Sequence, residues 1–380
     1  MKGKNPLMSQ VGTVVFYVSG HGFGHASRQI EIINSLTALR PETPVAVRTS
    51  APRRLFDRAL TRTCKFAVLE PDTGVVQVDS LRVNPSATIA QAWDFHRTLK
   101  HRARDEARFL TDHDAALVVG DIPPLAFEAA AAAGVPGIGI SNFTWDWIYQ
   151  HYGDLVAATP ALLPRLRAAY SLGDVALRLP MAGGFEAFRR VVDVPLVARH
   201  SRQTRKHTRA VLGLPTDCPL VLVSFGRYGL GAIDWTQVGK LRHIGIVVTD
   251  DPVDGGATAA RPSAPNVHQL NIPAITQQGI RYEDLVASVD VVLSKPGYGI
   301  VAECAANDTA LLYTSRGAFA EYQVLVDTMP RLIRCAYIKH DELFAGTWSL
   351  AVQNLLDQPA VAPPRTDGAQ VVARRLASYL

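Results

Sequence analysis

The stretch VVFYVSGHGFGHASRQIEIINSL, residues 14–36, decides the fold. An apolar run ends at a loop in which His21 and His25 stand among three glycines, and an amphipathic pattern typical of a helix follows at once. A strand, a tight glycine turn and a helix in this order form the first unit of an α/β domain. The two histidines are therefore predicted to lie just past the end of a buried strand.

Short apolar runs alternate with helical patterns along the rest of the chain. The first half contains one long predicted helix at 91–113. Predicted strands lie at 13–19, 43–50, 115–121 and 136–142, and a second series lies at 219–226, 244–250, 266–272, 290–297 and 310–315. Fully apolar strands flanked by helices are typical of a parallel sheet that is covered on both faces.

The sequence therefore predicts an α/β fold made of two doubly wound, Rossmann-like domains that face an interdomain cleft. A chain of 380 residues is also too long for one ordinary core. We expect a first domain at 1–198 and a second at 199–362. A terminal helix at 363–380 follows a proline-rich spacer that is long enough for the helix to pack back on the first domain.

The composition is that of an ordinary soluble globular protein, with 48% hydrophobic and 19% charged residues. No apolar run approaches the roughly 18 residues of a membrane span, so we expect no integral membrane segment. The first ten residues do not resemble a secretory signal. These features favour a cytoplasmic protein. The four cysteines form no CxxC pair, which makes a zinc site or a disulfide framework improbable.

A basic segment at 199–209 contains Arg199, Arg202, Arg205, Lys206 and Arg209. It has two interpretations, a solvated helix face or a positive field that attracts an anionic ligand to a nearby cleft. Stacking aromatic residues are absent from the segment, so nucleic acid is not an expected partner.

Parallel sheets bind ligands at the carboxyl ends of their strands, which directs attention to the loop SKPGYGIVAE at 294–303. Gly297 and Gly299 let the backbone approach a ligand, and the N–H groups of the helix that begins there suit a diphosphate. Lys295 adds positive charge, and Glu303 is placed to accept hydrogen bonds from ribose hydroxyls. The alternative interpretation is an ordinary strand–turn–helix junction.

The histidines of the opening stretch have a candidate partner in Asp121, which ends another predicted strand of the same domain. A carboxylate there would orient an imidazole and make it a general base for a hydroxyl group. We expect His25 to be the base because it lies at the start of the helix, where its side chain is held. His21 lies between two glycines, which predicts a looser orientation. A structural role for these histidines is the alternative.

In this order the loops resemble those of GT-B glycosyltransferases, including the peptidoglycan N-acetylglucosaminyltransferase and the UDP-dependent small-molecule enzymes. The likeness is greatest to the glycosyltransferase-like N-terminal domain of L-arabinokinases. It rests on FYVSGHGFGHASRQIEIINSL, VRTSAPRRLF, VVGDIPPLAFEAAAAAGVP, ISNFTWDWIY and SKPGYGIVAECAANDTALLYTSRGAFAEYQVLVD. It covers nearly the whole chain and is more specific for the fold than for a substrate.

The resemblance implies roles for residues at matching positions, with His25 as catalytic base and Asp121 as its partner. Tyr282 lies in the segment that reads the nucleobase, Glu303 matches the ribose-binding glutamate, and Tyr322 replaces the usual glutamine. The implied donor-binding residues are Gly226, Arg227, Tyr282, Lys295, Gly297, Tyr298, Gly299, Glu303, Glu321 and Tyr322. The candidate acceptor-binding residues are His21, Gly24, Asn142, Trp145 and Trp147. The aromatic residues near 143–149 suit either an acceptor wall or the core.

The resemblance implies an inverting, metal-independent transfer of a sugar from a nucleotide sugar, of the UDP type, to a hydroxyl group. The expected partners are that donor and a small-molecule or glycan acceptor, with no other cofactor. The alternatives are a sugar-nucleotide epimerase or hydrolase, and a non-catalytic sugar-nucleotide-binding module of the same fold. The sequence leaves the donor sugar, the acceptor and the oligomeric state open.

Overall fold

The computed structural model describes residues 12–225, 233–250 and 264–380. It contains two parallel sheets with helices on their faces. The first sheet has seven strands: β1 (Thr13–Val18), β2 (Val45–Thr49), β3 (Lys65–Val68), β4 (Ala115–Asp121), β5 (Gly137–Phe143), β6 (Val175–Gly183) and β7 (Val191–Asp193). The second has six: β8 (Leu220–Val223), β9 (Gly245–Asp250), β10 (Val267–Asn271), β11 (Val291–Ser294), β12 (Ala310–Tyr313) and β13 (Cys335–Tyr337).

The helices connect successive strands and cover the sheets, as the alternating pattern predicts. Those of the first domain are α1 (Phe23–Leu39), α2 (Arg53–Ala59), α3 (Pro85–His96), α4 (Leu99–Asp112), α5 (Pro124–Ala133), α6 (Trp145–Gln150), α7 (Gly153–Ala157) and α8 (Leu162–Tyr170). The rest are α9 (Arg205–Leu212), α10 (Trp235–Val238), α11 (Ile272–Gln277), α12 (Tyr282–Ser288), α13 (Tyr298–Ala306), α14 (Glu321–Thr328), α15 (His340–Phe344), α16 (Ser349–Leu356) and α17 (Gly368–Ala377).

The strand order places a switch point in the centre of each sheet. The first sheet runs β3-β2-β1-β4-β5-β6-β7 and the second β10-β9-β8-β11-β12-β13. Chain direction across the sheet therefore reverses between β1 and β4, and between β8 and β11. Val18 of β1 pairs with Asp121 of β4, and Val223 of β8 pairs with Leu293 of β11. Ligand sites of such sheets lie at the carboxyl ends of the strands beside these points.

Burial explains which strands the sequence reveals. Every residue of β1 and of β5 is buried, in agreement with their continuous apolar sequences. The strands without a clear signal are β3, β6, β7 and β13. Of these, β3, β7 and β13 contain exposed residues and lie at sheet edges, and the last two are only three residues long. Short, partly exposed edge strands leave no continuous apolar run in a sequence.

The predicted single helix at 91–113 is wrong, because the structure has two helices there, α3 and α4. The break lies at Arg97 and Thr98, and the Thr98 side-chain hydroxyl donates to the carbonyl of Phe95. A side-chain hydrogen bond to the local backbone offers an alternative to helix continuation. Neither glycine nor proline marks the position, so the sequence carries no strong stop signal there.

The terminal helix α17 packs along α1 of the first domain. Leu376 and Val372 of α17 and Ile33 of α1 belong to one buried cluster. The chain thus crosses between the domains twice, and the two crossings pair where Val197 meets Asp367. No helix among the described residues combines the length and the apolar character needed to cross a membrane.

Candidate active site

The two switch points face each other across the interdomain cleft. Gly24 lies in the first turn of α1, which follows β1, and Gly299 lies in the first turn of α13, which follows β11. A Cβ atom added at Gly299 would lie 3.5 Å from the Cα of Gly24, so the two backbones are in close approach. A small open pocket beside them is lined by residues of both domains.

His25 and Asp121 form the buried pair that the sequence predicts. The Nδ1 of His25 lies 2.9 Å from the Oδ1 of Asp121. Gly22, with φ +76°, precedes α1 and turns the chain so that His25 falls in the first helical turn. Asp121 ends β4 and has no exposed surface. The carboxylate is therefore positioned by the end of β4, and the imidazole by the first turn of α1.

A third residue, Arg28, also bonds the carboxylate of Asp121, and the sequence did not predict this contact. Its Nε donates to the Oδ2 of Asp121 at 2.6 Å, and its Nη2 donates to Oδ1. Burial alone would raise the pKa of Asp121, but the charges of Arg28 and His25 outweigh it and hold that pKa well below its ordinary value. Arg28 lies one helical turn after His25, and this i, i+3 spacing is the only sequence signal for it.

His21 is held firmly, so the expectation of a looser orientation is wrong. Its ring stacks on Phe319 of the second domain with centroids 6.3 Å apart and meets the edge of Trp145 at 5.6 Å. Gly74, with φ +59°, packs against it so closely that a Cβ there would lie 2.7 Å from the imidazole. Burial lowers the pKa of His21 well below its ordinary value, and His25 and other nearby cations add to this effect.

Asp72 is a second carboxylate of the site that sequence reasoning missed. It accepts hydrogen bonds from the Ser19 hydroxyl at 2.9 Å and from the Trp145 indole at 2.8 Å. Burial raises its pKa to about 6, against the lowering effects of those donors and of His25. The residue lies in an irregular segment after β3. No motif surrounds it in the sequence, which explains why it was missed.

The aromatic residues near 143–149 belong mainly to the core. Trp145 and Tyr149 have no exposed surface, and Phe143 is buried against both Trp145 and His25. Trp147 is partly buried and contacts the ring of His151, and a Cβ at Gly183 would collide with its indole. Trp145 reaches the site through its indole N–H and through ring contacts with the histidines. Acceptor binding by Trp145 and Trp147 stays a prediction.

Asn142 links the first domain to the predicted sugar-binding residue of the second. Its Nδ2 donates to the Oε1 of Glu321 at 2.8 Å, and the Oε2 of Glu321 accepts from Arg316 at 3.1 Å. Glu321 is buried at the start of α14. Tyr322, the neighbour of Glu321, is partly buried. Burial raises the pKa of Tyr322, and the charge interaction with Tyr337 raises it further. Asn142 was expected on the acceptor side, yet one of its described contacts is with Glu321, a residue expected to bind the donor.

Glu303 is buried and already has a partner within the chain. The Nε of Arg199 lies 2.7 Å from the Oε1 of Glu303, and the Nη1 of Arg199 lies 3.4 Å from Glu283. The same guanidinium lies over the ring of Tyr282, 5.5 Å from its centroid. Burial raises the pKa of Glu303, and Arg199 opposes this rise. One oxygen of the carboxylate predicted to bind the ribose is therefore paired with an arginine from the segment that joins the domains.

The N-terminus of α13 matches the loop predicted for a diphosphate. Gly297 occupies the cap position without a side-chain cap, and Lys295 donates to the carbonyl of Ser80 at 2.7 Å. Burial lowers the pKa of Lys295 to about 7, and Arg316 contributes to the shift. Tyr298 points away from the cap, since its hydroxyl bonds the backbone N–H of Val197 at 2.9 Å. The predicted site residues Gly226 and Arg227 lie outside the described residues.

Neither interpretation of the basic segment at 199–209 describes all of it. Arg205 and Arg209 both form ion pairs with Asp290, which precedes β11, and Arg199 pairs with Glu303. These three arginines attach the interdomain segment to the second domain. They are neither a fully solvated face nor free charges for a ligand.

Comparison with known proteins is consistent with this architecture. No family model matches the chain. A glycotransferase of kitacinnamycin superposes with a TM-score of 0.61 at 16% identity, covering 97% of this chain and 96% of the other. A Polygonum tinctorium UDP-glucosyltransferase that glucosylates indoxyl also gives 0.61, at 14% identity over 98% and 99% of the two chains. The calicheamicin glycosyltransferase CalG4 gives 0.58 at 16% identity over 98% and 95%.

These likenesses establish the class: the chain has the GT-B glycosyltransferase fold, with two Rossmann-like domains. In sequence it is similar to the L-arabinokinase of Arabidopsis thaliana, at 29% identity over 368 residues. That match covers 95% of this chain and 34% of the relative, so the chain spans about a third of the relative's length. Both findings confirm the resemblance on which the sequence-based interpretation rests.

Proposed function

We propose that the chain is an inverting glycosyltransferase that moves a sugar from a nucleoside diphosphate sugar, of the UDP type, to a hydroxyl group of an acceptor. The observation that carries this proposal is the His25–Asp121 pair, buried at one switch point opposite the α13 N-terminus at the other. A general base and a diphosphate-binding helix end on two sides of one cleft are what direct displacement at an anomeric carbon requires.

The donor is proposed to bind the second domain. Backbone N–H groups at Gly297 and the charge of Lys295 would hold the diphosphate, which supports transfer without a divalent metal. Glu303 would accept hydrogen bonds from the ribose through its Oε2, because the described bonds of Arg199 are to Oε1. Glu321 would accept from the sugar hydroxyls, because each of its oxygens has one described partner and a second lone pair.

The chemistry is a single displacement. The acceptor oxygen attacks the anomeric carbon while the Nε2 of His25 takes the hydroxyl proton. The bond between that carbon and the β-phosphate oxygen breaks, and the nucleoside diphosphate leaves with the electron pair. The configuration at the anomeric carbon inverts, and His25 then returns the proton to solvent. Asp121 orients the imidazole through Nδ1.

A panel of sugar nucleotides, offered alone and with hydroxyl acceptors, tests the proposal through release of the nucleoside diphosphate. Release that depends on an acceptor, with a β-linked product from an α-linked donor, is the expected result. Release without an acceptor would instead support a hydrolase, and a changed donor sugar would support an epimerase. Binding without turnover of any donor would support a sugar-nucleotide-binding module.

A further inference from the structure

Arg28 makes more polar contacts than the proposed reaction has used. It is buried on α1, one turn after His25. Its Nε and Nη2 hold the two oxygens of Asp121, so the planar guanidinium is fixed side-on against the carboxylate. The orientation of each N–H bond follows from that plane, because a guanidinium cannot rotate its hydrogens independently.

The two hydrogens on the Nη2 of Arg28 determine the tautomer of His25. This nitrogen has two hydrogens and three neighbours: Asp121 Oδ1, Ser141 Oγ at 2.9 Å and His25 Nδ1 at 2.9 Å. The two oxygens accept both hydrogens, which leaves none for the imidazole. The Nδ1 of His25 must therefore carry its own hydrogen and donate it to Asp121. In the neutral ring, Nε2 then has the free lone pair that a base needs.

The other end of Arg28 reaches toward the second domain. Its Nη1 donates to the Oδ1 of Asn142 at 2.7 Å, which fixes the amide so that its NH₂ group faces Glu321. The guanidinium also lies 5.2 Å from the ring centroid of Tyr298, at the start of α13. One side chain thus connects the base in one domain with the residue proposed to hold the donor sugar in the other.

We propose that Arg28 is the positioning residue of this site: its fixed fork holds Asp121 as the acceptor of the His25 Nδ1–H without itself donating to Nδ1, and it directs the Asn142 amide toward Glu321. Its significance for catalysis rests on the proposed function. The tautomer and the amide orientation are properties of the protein alone, so they can be measured without substrate.

Nitrogen-15 NMR of histidine-labelled protein tests the tautomer, with the His25 signals identified by their absence from His25→Gln. At the alkaline plateau of a pH series we expect an unprotonated Nε2 and a protonated Nδ1. Arg28→Lys replaces the fixed fork with a rotating ammonium that is free to donate to Nδ1, so a mixture of tautomers is expected. Arg28→Met removes every competing donor and should retain the Nδ1–H form.

Arg48→Lys is the matched control, because Arg48 holds Glu106 with a similar fork in the same domain and its described contacts include no histidine. It should leave the His25 signals unchanged. A protonated Nε2 in the wild type, or an Arg28→Lys spectrum identical to the wild type, would overturn the proposal. An unprotonated Nε2 in a protein that transfers no sugar would leave the Arg28 inference standing and count against the proposed function.

Once a donor and an acceptor are known, kinetics test whether Arg28 acts through Asn142. Arg28→Met should lower kcat by about 10- to 100-fold through misalignment, with UDP affinity within a factor of about two. Asn142→Leu should reproduce much of that loss, and the double variant should be little worse than either single variant. Fully additive losses would show that Arg28 does not act through Asn142.

Discussion

At the scale of single residues, we expect replacement of His25 to affect mainly turnover and replacement of Asp121 to affect stability as well. His25→Ala should lower turnover by about 10²-fold or more while UDP binding stays nearly intact, because the proposed donor contacts lie in the other domain. His21→Ala should cost less than His25→Ala. Steady-state kinetics and calorimetry of UDP binding measure these effects. Near-wild-type turnover of His25→Ala with the true acceptor would exclude it as the base.

Asp121→Asn should damage the fold as well as the reaction. The change removes the charge that compensates Arg28 in a buried site, and breaking such a pair costs roughly 3–5 kcal/mol of unfolding free energy. Urea denaturation of Asp121→Asn beside His25→Ala separates the two effects. The aspartate variant should unfold at distinctly lower urea, and equal midpoints would show that Arg28 does not depend on this carboxylate.

Asp72 should make the stability of the protein depend on pH. Folding raises its pKa from the ordinary value of 3.8 to about 6, so the folded protein binds more protons than the unfolded chain between these values. The contribution of Asp72 to stability is therefore present below about pH 3.8 and is lost as the pH rises through 6. As the pH rises from about 4 to about 7, the free energy of unfolding of Asp72→Asn should increase relative to that of the wild type by at most about 3 kcal/mol. A difference that is constant over this range, measured by urea unfolding, would contradict the assignment.

The site was predictable where a motif and a topological position coincide. His25 and Asp121 follow the apolar strands β1 and β4, and adjacent strands bring their ends together. Arg28 was missed because a polar residue in a helix usually faces solvent, and only the contact with Asp121 reveals its role. Arg199 was assigned to a charged segment, since its partner Glu303 is 104 positions away in sequence.

At the scale of elements, the N-terminus of α13, where we propose that the diphosphate binds, carries a cost in stability through the buried Lys295. The pKa of Lys295 falls from 10.5 to about 7 on burial, so the folded protein binds fewer protons than the unfolded chain between these values. The cost is greatest below pH 7 and disappears as the pH rises toward 10.5. Lys295→Met should therefore raise the Tm of the ligand-free protein at about pH 6 by a few °C.

The same change should weaken UDP binding, because the diphosphate loses a cation. Lys240→Met is the control, since Lys240 is exposed and its described side-chain contact is with Gln237. Thermal shift at about pH 6 and pH 9, with and without UDP, measures both effects. A lower Tm for Lys295→Met at the acidic pH, or undiminished stabilisation by UDP, would contradict the proposal.

The buried central strands were the most predictable elements, although the largely buried β6 was missed and the partly exposed edge strand β10 was found. The strands with continuous apolar runs were found from the sequence, and the helices between several of them followed from periodicity. The break between α3 and α4 depends on one threonine hydroxyl, which no pattern indicates. The return of α17 to the first domain was expected from the proline-rich spacer before it, but its packing along α1, far earlier in the chain, could not be predicted from the local sequence.

At the scale of the whole molecule, the two domains are joined across the cleft by direct hydrogen bonds. Asn142 bonds Glu321, and Lys295 and Phe225 bond Ser80. Under the proposed function, entry of a sugar nucleotide between the domains requires these contacts to open. Asn142→Ala should therefore raise the association rate constant of UDP by about tenfold or more, since a hydrogen bond to a charged group contributes about 1.5–3 kcal/mol.

Stopped-flow fluorescence measures that rate, and Asn34→Ala serves as control because Asn34 bonds Thr61 within the first domain. An unchanged association rate for Asn142→Ala would show that this contact does not limit entry. A rate equally raised in both variants would point to general loosening of the first domain.

The pairing of the two interdomain crossings also determines how the protein can be divided. Leu196 donates to the carbonyl of Arg365 and accepts from the N–H of Gly368, and α17 then returns to α1. A protease that cuts only the segment at 199–204 would leave the halves joined through the second crossing. Exchanging the donor-binding domain between homologues would require two junctions, one near residue 198 and one near residue 366. The second domain is in this sense an insertion within the first, and grafting it means replacing an internal segment.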